Sequence, residues 1–254
     1  MSEKITGIMG AMPEEINGVV ALLVNRQEVI VGGRTYFTGT INGIKTVVVF
    51  SRWGKVAAAT TVSTLILTFN ITQLLFTGVA GAISHQLKIG DIVIAKCLVQ
   101  HDMDARPLMP QFEIPLLGKT YFDCDADLLT IAQNAVNDLL ENKHLHATID
   151  SAALEVFDIT VPKLVVGNIA SGDQFISGSS SKNNILQQLP AVVCVEMEGA
   201  AVAQVCFEYD IPFVIIRTIS DTADEQSHID FPLFINTISS RYAVEIIKNI
   251  YSQY

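Results

Sequence analysis

Seven short runs of continuous apolar, largely β-branched residues recur along the chain, at 5–11, 44–50, 74–79, 91–99, 164–169, 192–197 and 213–219. A strand with one face in water alternates apolar and polar residues. These runs do not, so most predict strands covered on both faces. Segments of helical period lie between several of them: 13–24, acidic in its first turn; 55–69, after Gly54; 125–140, opening with acids; and the Ala-rich 198–209. A last helix is expected after Phe231 and Pro232, running towards Ile250. The alternation predicts an α/β fold, a single domain over residues 1–254 whose central mixed, mostly parallel, twisted sheet is flanked by helices. Residues 103–122 contain Pro107, Pro110 and Pro115 and show no period. They read as an elaborated loop of the kind used as a lid, binding loop or interface segment. Residues 142–162 form a second irregular stretch, compatible with an inserted hairpin or excursion.

The formal charge is −10, from 16 Lys and Arg against 26 Asp and Glu. That balance opposes nucleic-acid binding, which needs basic side chains to neutralise phosphates. Half of the residues are apolar and 17% are charged, against about 25% in an average globular chain. Such a chain has material for one large core and is expected to hide part of its surface against a partner. The apolar runs fall far short of the roughly 20 residues that span a membrane. The N-terminus lacks the longer apolar region of a secretory signal. Cys97, Cys124, Cys194 and Cys206 are widely spaced and make no CxxC pair. They read as reduced, structural thiols of a cytoplasmic protein.

Ligands of α/β sheets sit beyond the carboxyl ends of the strands, so the residues there are the first candidates for chemistry. Glu14 and Glu15 follow Pro13 after the first strand; they suit a helix dipole or a site. Residues 77–82, TGVAGA, suit a tight strand-to-helix turn, and lack both the P-loop and the dinucleotide spacings. Glu196 and Glu198 flank Met197 among Val, Ala and Gly, where two carboxylates are costly to bury without a purpose. Asp221 follows the last strand, four residues after Arg217, and faces a ligand or caps a turn. Phe175, after Ser171-Gly172-Asp173, packs in the core or stacks on a flat ligand. His101-Asp102-Met103-Asp104 reads as an acidic loop anchor, since no second His completes a metal set.

Taken in order, Gly10-Ala11-Met12 with Glu15, Ser51 with Gly54-Lys55-Val56-Ala57, Thr77 to Gly81, Leu87-Lys88-Ile89-Gly90-Asp91, Ser171-Gly172-Asp173, Val195-Glu196-Met197-Glu198 and Ile219-Ser220-Asp221 resemble one family across almost the whole chain. It is that of the 5′-methylthioadenosine/S-adenosylhomocysteine nucleosidases, within the nucleoside phosphorylase superfamily. The resemblance implies hydrolysis of the bond between adenine and the ribose of a 5′-thio-substituted adenosine, without cofactor or metal. It implies that Asp221 protonates the purine as the bond breaks, that Glu15 activates the attacking water, and that Arg217 helps to position it. Glu198 would hold the ribose hydroxyls and Met197 the ribose face, with Glu196 beside them. Ser220 and the backbone near Ile176 would hold the base and Phe175 would stack on it. Ala80 and Gly81 would line the pocket, and Phe231 would lie near the sugar and its 5′ group. The resemblance also implies a homodimer in which the neighbouring subunit's loop, residues 106–115, completes the 5′ site.

Two positions depart from the family's pattern. Trp53 stands where a smaller aliphatic residue is usual beside the 5′ group, and Val79 where a small polar residue is usual near the ribose. Methylthioadenosine, S-adenosylhomocysteine, 5′-deoxyadenosine and a futalosine-like nucleoside all remain substrates to distinguish. A purine nucleoside phosphorylase and a non-catalytic nucleoside-binding protein are the rival readings. The first would place phosphate beside Glu15, where like charge opposes it. The second would have no use for a water-activating carboxylate.

Overall fold

The structure is a computed structural model that describes residues 3–223 and 231–254. Its elements in chain order are β1 (Ile5–Gly10), α1 (Pro13–Val20), β2 (Val24–Val31), β3 (Arg34–Ile41), β4 (Ile44–Phe50), α2 (Lys55–Phe69), β5 (Gln73–Ala82), β6 (Ile92–Gln100) and β7 (Phe122–Asp123). There follow α3 (Ala126–Leu140), α4 (Asn142–Thr148), α5 (Ser151–Val156), β8 (Leu164–Ser171), α6 (Ser179–Gln188), β9 (Val192–Glu196), α7 (Gly199–Glu208) and β10 (Phe213–Asp221). Helix α8 (Phe231–Phe234) leads through one wider, π-helical turn, Ile235–Ser239, into α9 (Ser240–Tyr251). Asp224, three residues after Asp221 in the sequence, lies outside the described residues.

The continuous apolar runs do become strands buried on both faces, and the reason is visible residue by residue. Ile8, Val48, Leu75, Val214 and Ile216 point to one core, packed with α1, α3 and α9. Their neighbours Met9, Val47, Val49, Leu74, Phe76, Phe213 and Ile215 point to a second core under α2 and α7. Successive side chains of a strand face opposite ways, so a sheet with helices on both sides needs apolar residues at every position.

The sheet is mixed, with β1 parallel to β4 and β5, β5 to β10, and β8 to β6 and β9. Antiparallel pairs join β10 to β6 and β5 to β9. Together these links close β5, β10, β6, β8 and β9 into a ring, from which β1, β4, β3 and β2 extend as an open wing.

Three local expectations are corrected. The helix expected over 13–24 stops at Val20, because residues from Val24 enter the β2–β3 hairpin. Residues 142–162 hold two short helices and no hairpin; Asp150 caps the second, accepting from the Ala152 amide at 3.0 Å. Leu145, Ile149, Leu154 and Phe157 are buried from this stretch into the first core. Residues 77–82 stay in β5 and make no turn, with Gly81 paired to Asp221 of β10.

Leu74→Ala and Leu75→Ala empty space in opposite cores. Each is expected to lower the unfolding free energy by about 2–5 kcal/mol in urea titrations. A loss for only one of the two contradicts burial on both faces.

Candidate active site

The carboxyl ends of β1, β5, β9 and β10 converge on a cavity of about 430 Å³, within the usual range of small-molecule sites, about 300–1,000 Å³. The residues to which the resemblance gives catalytic or substrate-binding places, with the two that depart from its pattern, all line it: Glu15, Trp53, Val79, Ala80, Gly81, Phe175, Ile176, Glu196, Met197, Glu198, Arg217, Ser220, Asp221 and Phe231. Ala11, Met12, Phe76, Gly78, Gln174 and Val195 complete the wall. Ala11, Met12, Gly78 and Val195 lie inside motifs already quoted, whereas Phe76 and Gln174 each lie one residue beyond a quoted motif.

Pro13 opens α1 and sends two adjacent acids opposite ways. Glu14 is exposed, whereas Glu15 is buried. One Glu15 oxygen accepts from the Ala11 amide at 2.6 Å and the Met12 amide at 3.0 Å. Dipole complement and site residue are therefore the same carboxylate. Burial raises its proton affinity, against the opposing pull of Arg217 and of the Met12, Ala11 and Val79 amides. The position where the family pattern has a small polar side chain thus contributes its backbone.

Glu196 ends β9 and holds the start of α7. Its oxygens accept from the Gly199 amide at 2.9 and 2.8 Å and from the Ser171 hydroxyl. Ser171 in turn accepts from the Ala200 amide at 2.7 Å. Across the ring Arg217 donates to Glu196 through Nη2 at 2.7 Å and Nε at 3.3 Å. Nη1 donates to the carbonyls of Ile216 and Phe76, and the group lies 4.0 Å over the Phe76 ring. Both partners are buried. Glu196 lines the cavity, but its oxygens are already engaged.

Glu198 precedes α7, and one of its oxygens accepts from the Gly54 amide at 2.8 Å. Gly54 has φ +90°, and a Cβ there would come within 3.0 Å of Asp173 Oδ1. Only glycine meets both demands at low cost. Burial first, and then the charge of Glu196, push the Glu198 carboxyl up to about 8, against the Gly54 amide and Arg217.

Asp221 closes the opposite side. Its oxygens accept from the Ser220 hydroxyl at 2.8 Å and the Ala223 amide at 2.8 Å, so it caps its turn and faces the cavity at once. Glycine is needed beside it, because a Cβ on Gly81 would sit 2.8 Å from Asp221 Oδ1. Phe175 is 63% and Trp53 62% exposed. Both rings belong to the cavity and neither to the core. Asp102 does anchor its loop, through Lys55 Nζ at 2.6 Å. The four thiols are free, and burial raises the proton affinity of each, to about 11 for Cys97. That makes them poor nucleophiles, consistent with structural thiols. Among the described residues no helix is long and apolar enough to cross a membrane.

The sequence profile described as "Phosphorylase superfamily" matches residues 5–250. The chain belongs to this superfamily. It is similar to the aminodeoxyfutalosine nucleosidase of Helicobacter pylori, at 34% identity over 98% of each chain. The S-adenosylhomocysteine nucleosidase of Streptococcus pyogenes, solved with 5-methylthiotubericidin, has 32% identity and a TM-score of 0.84, covering 100% of this chain and 98% of that one. The 5′-methylthioadenosine/S-adenosylhomocysteine nucleosidase of Neisseria meningitidis, solved with methylthio-immucillin-A, has 30% identity and a TM-score of 0.86, covering 99% and 100%. The mixed sheet with flanking helices is thus the architecture of this superfamily.

The raised Glu198 carboxyl gives a signed pH dependence. The unfolded chain releases this proton near 4.5 and the folded protein near 8, so the folded state holds the extra proton between these values and loses stability as pH rises through them. Glu198→Gln cannot titrate and is expected to gain on the wild type in urea unfolding from about pH 5 to about pH 8. A difference that does not change with pH would show that the carboxyl is ordinary.

Proposed function

We propose that this superfamily member is a nucleosidase that hydrolyses the N-glycosidic bond of 5′-substituted adenosines and releases adenine. The observation that carries the reading is the charge inside the cavity. Glu15, Glu196, Glu198 and Asp221 face a single cation, Arg217, among the described residues of its wall. That cation donates to Glu196 and to backbone carbonyls. Such a site favours a sugar that becomes cationic as its bond breaks, and gives an incoming phosphate little to bind.

In this reading the bond between the anomeric carbon and N9 breaks and its electron pair moves into the purine. Asp221 gives its proton to N7, with Ser220 and the segment at Ile176 holding the base under Phe175. Water adds to the anomeric carbon and yields a proton to Glu15, whose burial makes it a better base than an exposed carboxylate. Glu198 accepts hydrogen bonds from the ribose hydroxyls, Met197 packs on the ribose, and Arg217 steadies the water side. Glu196 acts through Arg217 and the α7 amides.

The substrate class is 5′-substituted adenosine, with methylthioadenosine and S-adenosylhomocysteine as the first choice. Aminodeoxyfutalosine is the second reading, favoured by the H. pylori relative and by the exposed Trp53 indole, which offers a flat wall to a bulkier 5′ group. The proposal includes a homodimer whose 106–115 loop meets the partner's site. Leu108 and Leu116, 87% and 98% exposed, support a covering partner on and beside that loop.

Adenine release without phosphate is expected from at least one of these nucleosides, followed by chromatography; strict dependence on phosphate would sink the hydrolytic reading. Asp221→Asn is expected to lower kcat by about 10²–10⁴-fold while adenosine-like ligands still bind. Wild-type turnover in that variant would remove the acid from its role.

A further inference from the structure

Helix α2 begins without an acid of its own. Gly54 offers no side-chain cap, and no acidic residue lies in the first turn. Its amides are instead met by carboxylates from elsewhere in the chain, which is favourable at the positive end of a helix dipole. The Gly54 amide donates to Glu198 at 2.8 Å and the Lys55 amide to Asp173 at 2.7 Å. The Lys55 ammonium turns the other way, to Asp102 at 2.6 Å and to Gln100 Oε1 at 3.1 Å. Asp102 closes the circuit by accepting from the Asp173 amide at 3.0 Å. Three segments far apart in sequence are tied at one edge of the cavity: the β4–α2 turn, the end of β6 and the segment after β8.

What the tie holds is the mouth of the site. Trp53 precedes Gly54, Phe175 lies two residues after Asp173, and both exposed rings line the cavity. The side chains of Lys55 and Asp102 are 17% and 23% exposed, although Asp102 as a whole residue is exposed. Burial raises the Asp102 carboxyl, but the Lys55 ammonium and the Asp173 amide outweigh it, so Asp102 stays below its ordinary value and charged. A charged pair this short and this covered is stronger than a free surface pair.

We infer that Lys55, Asp102 and Asp173 form a strap that sets the affinity of the site by holding Trp53 and Phe175 around the ligand and the Gly54 amide on Glu198. They touch none of the reacting atoms and are positioning residues. The inference rests on the proposed nucleosidase reading for its kinetic expression only. Loosening the strap costs binding that is equal in ground and transition states, so KM rises while kcat is little changed.

Trp53 is the sole tryptophan of the chain, so its fluorescence reports the strap without any catalysis. The test compares wild type, Asp102→Ala, Asp173→Ala, Lys55→Met and Lys55→Arg by acrylamide quenching and by adenine release from methylthioadenosine, with thermal unfolding as a control. Asp102→Ala, Asp173→Ala and Lys55→Met are expected to raise quenching and to raise KM about tenfold, with kcat within about threefold. Lys55→Arg, which keeps the cation, is expected to restore both. Unchanged quenching with unchanged KM overturns the strap, as does a fall in kcat that only tracks loss of folded protein. If wild type releases no adenine from any nucleoside, the functional reading fails. The strap is then judged by quenching alone, where a rise in the three variants supports it and no change overturns it.

Discussion

Arg217 and Glu196 form an ion pair buried in the closed part of the sheet, and the site is arranged around it. Removing both charges from water is expensive, and such a pair is retained in a fold only when further hydrogen bonds satisfy it. Here they do: Glu196 takes amides of α7 and the Ser171 hydroxyl, while Arg217 gives its spare donors to the carbonyls of β5 and β10. The pair therefore fixes the meeting of β8, β9, β10 and α7 at the base of the cavity.

Its electrostatic consequence reaches further than its contacts. Arg217 is held on Glu196, and although it and nearby amides oppose the effect, burial leaves both Glu15 and Glu198 holding protons more tightly than free carboxyls. A pocket lined in this way favours a ligand that carries or develops positive charge. The same acids that make up the chain's net charge of −10 thus divide into a surface majority and a buried minority.

The buried strands were legible because a sheet covered on both sides forces apolar residues at every position, and the site was legible because its residues follow those strands directly. Glu196 and Glu198 stand out as acids in apolar surroundings, whereas Glu15 and Asp221 also suit a helix dipole and a turn cap and take their roles from the family resemblance. What escaped is what one segment cannot encode. Strands β2 and β3 lie at the open edge; β2 is almost wholly exposed and its apolar run is only Val29-Ile30-Val31. Its hairpin signals, Gly32-Gly33 and Asn42-Gly43 with positive φ, were nevertheless present in the sequence. The antiparallel links that close the ring and the strap joining Lys55, Asp102 and Asp173 depend on which loops meet in space, and no local pattern states that.

On the proposed chemistry, the cavity receives positive charge on the sugar. Calorimetric titration of an adenosine analogue with a cationic pyrrolidine in place of ribose, beside its neutral isostere near pH 7, tests this most directly. The cation is expected to bind at least about 100-fold more tightly. Net proton release is also expected, seen by varying the buffer's ionisation enthalpy, as Glu198 gives up the proton that its raised affinity holds. Equal affinity for the two analogues, with no proton released, would contradict that chemistry.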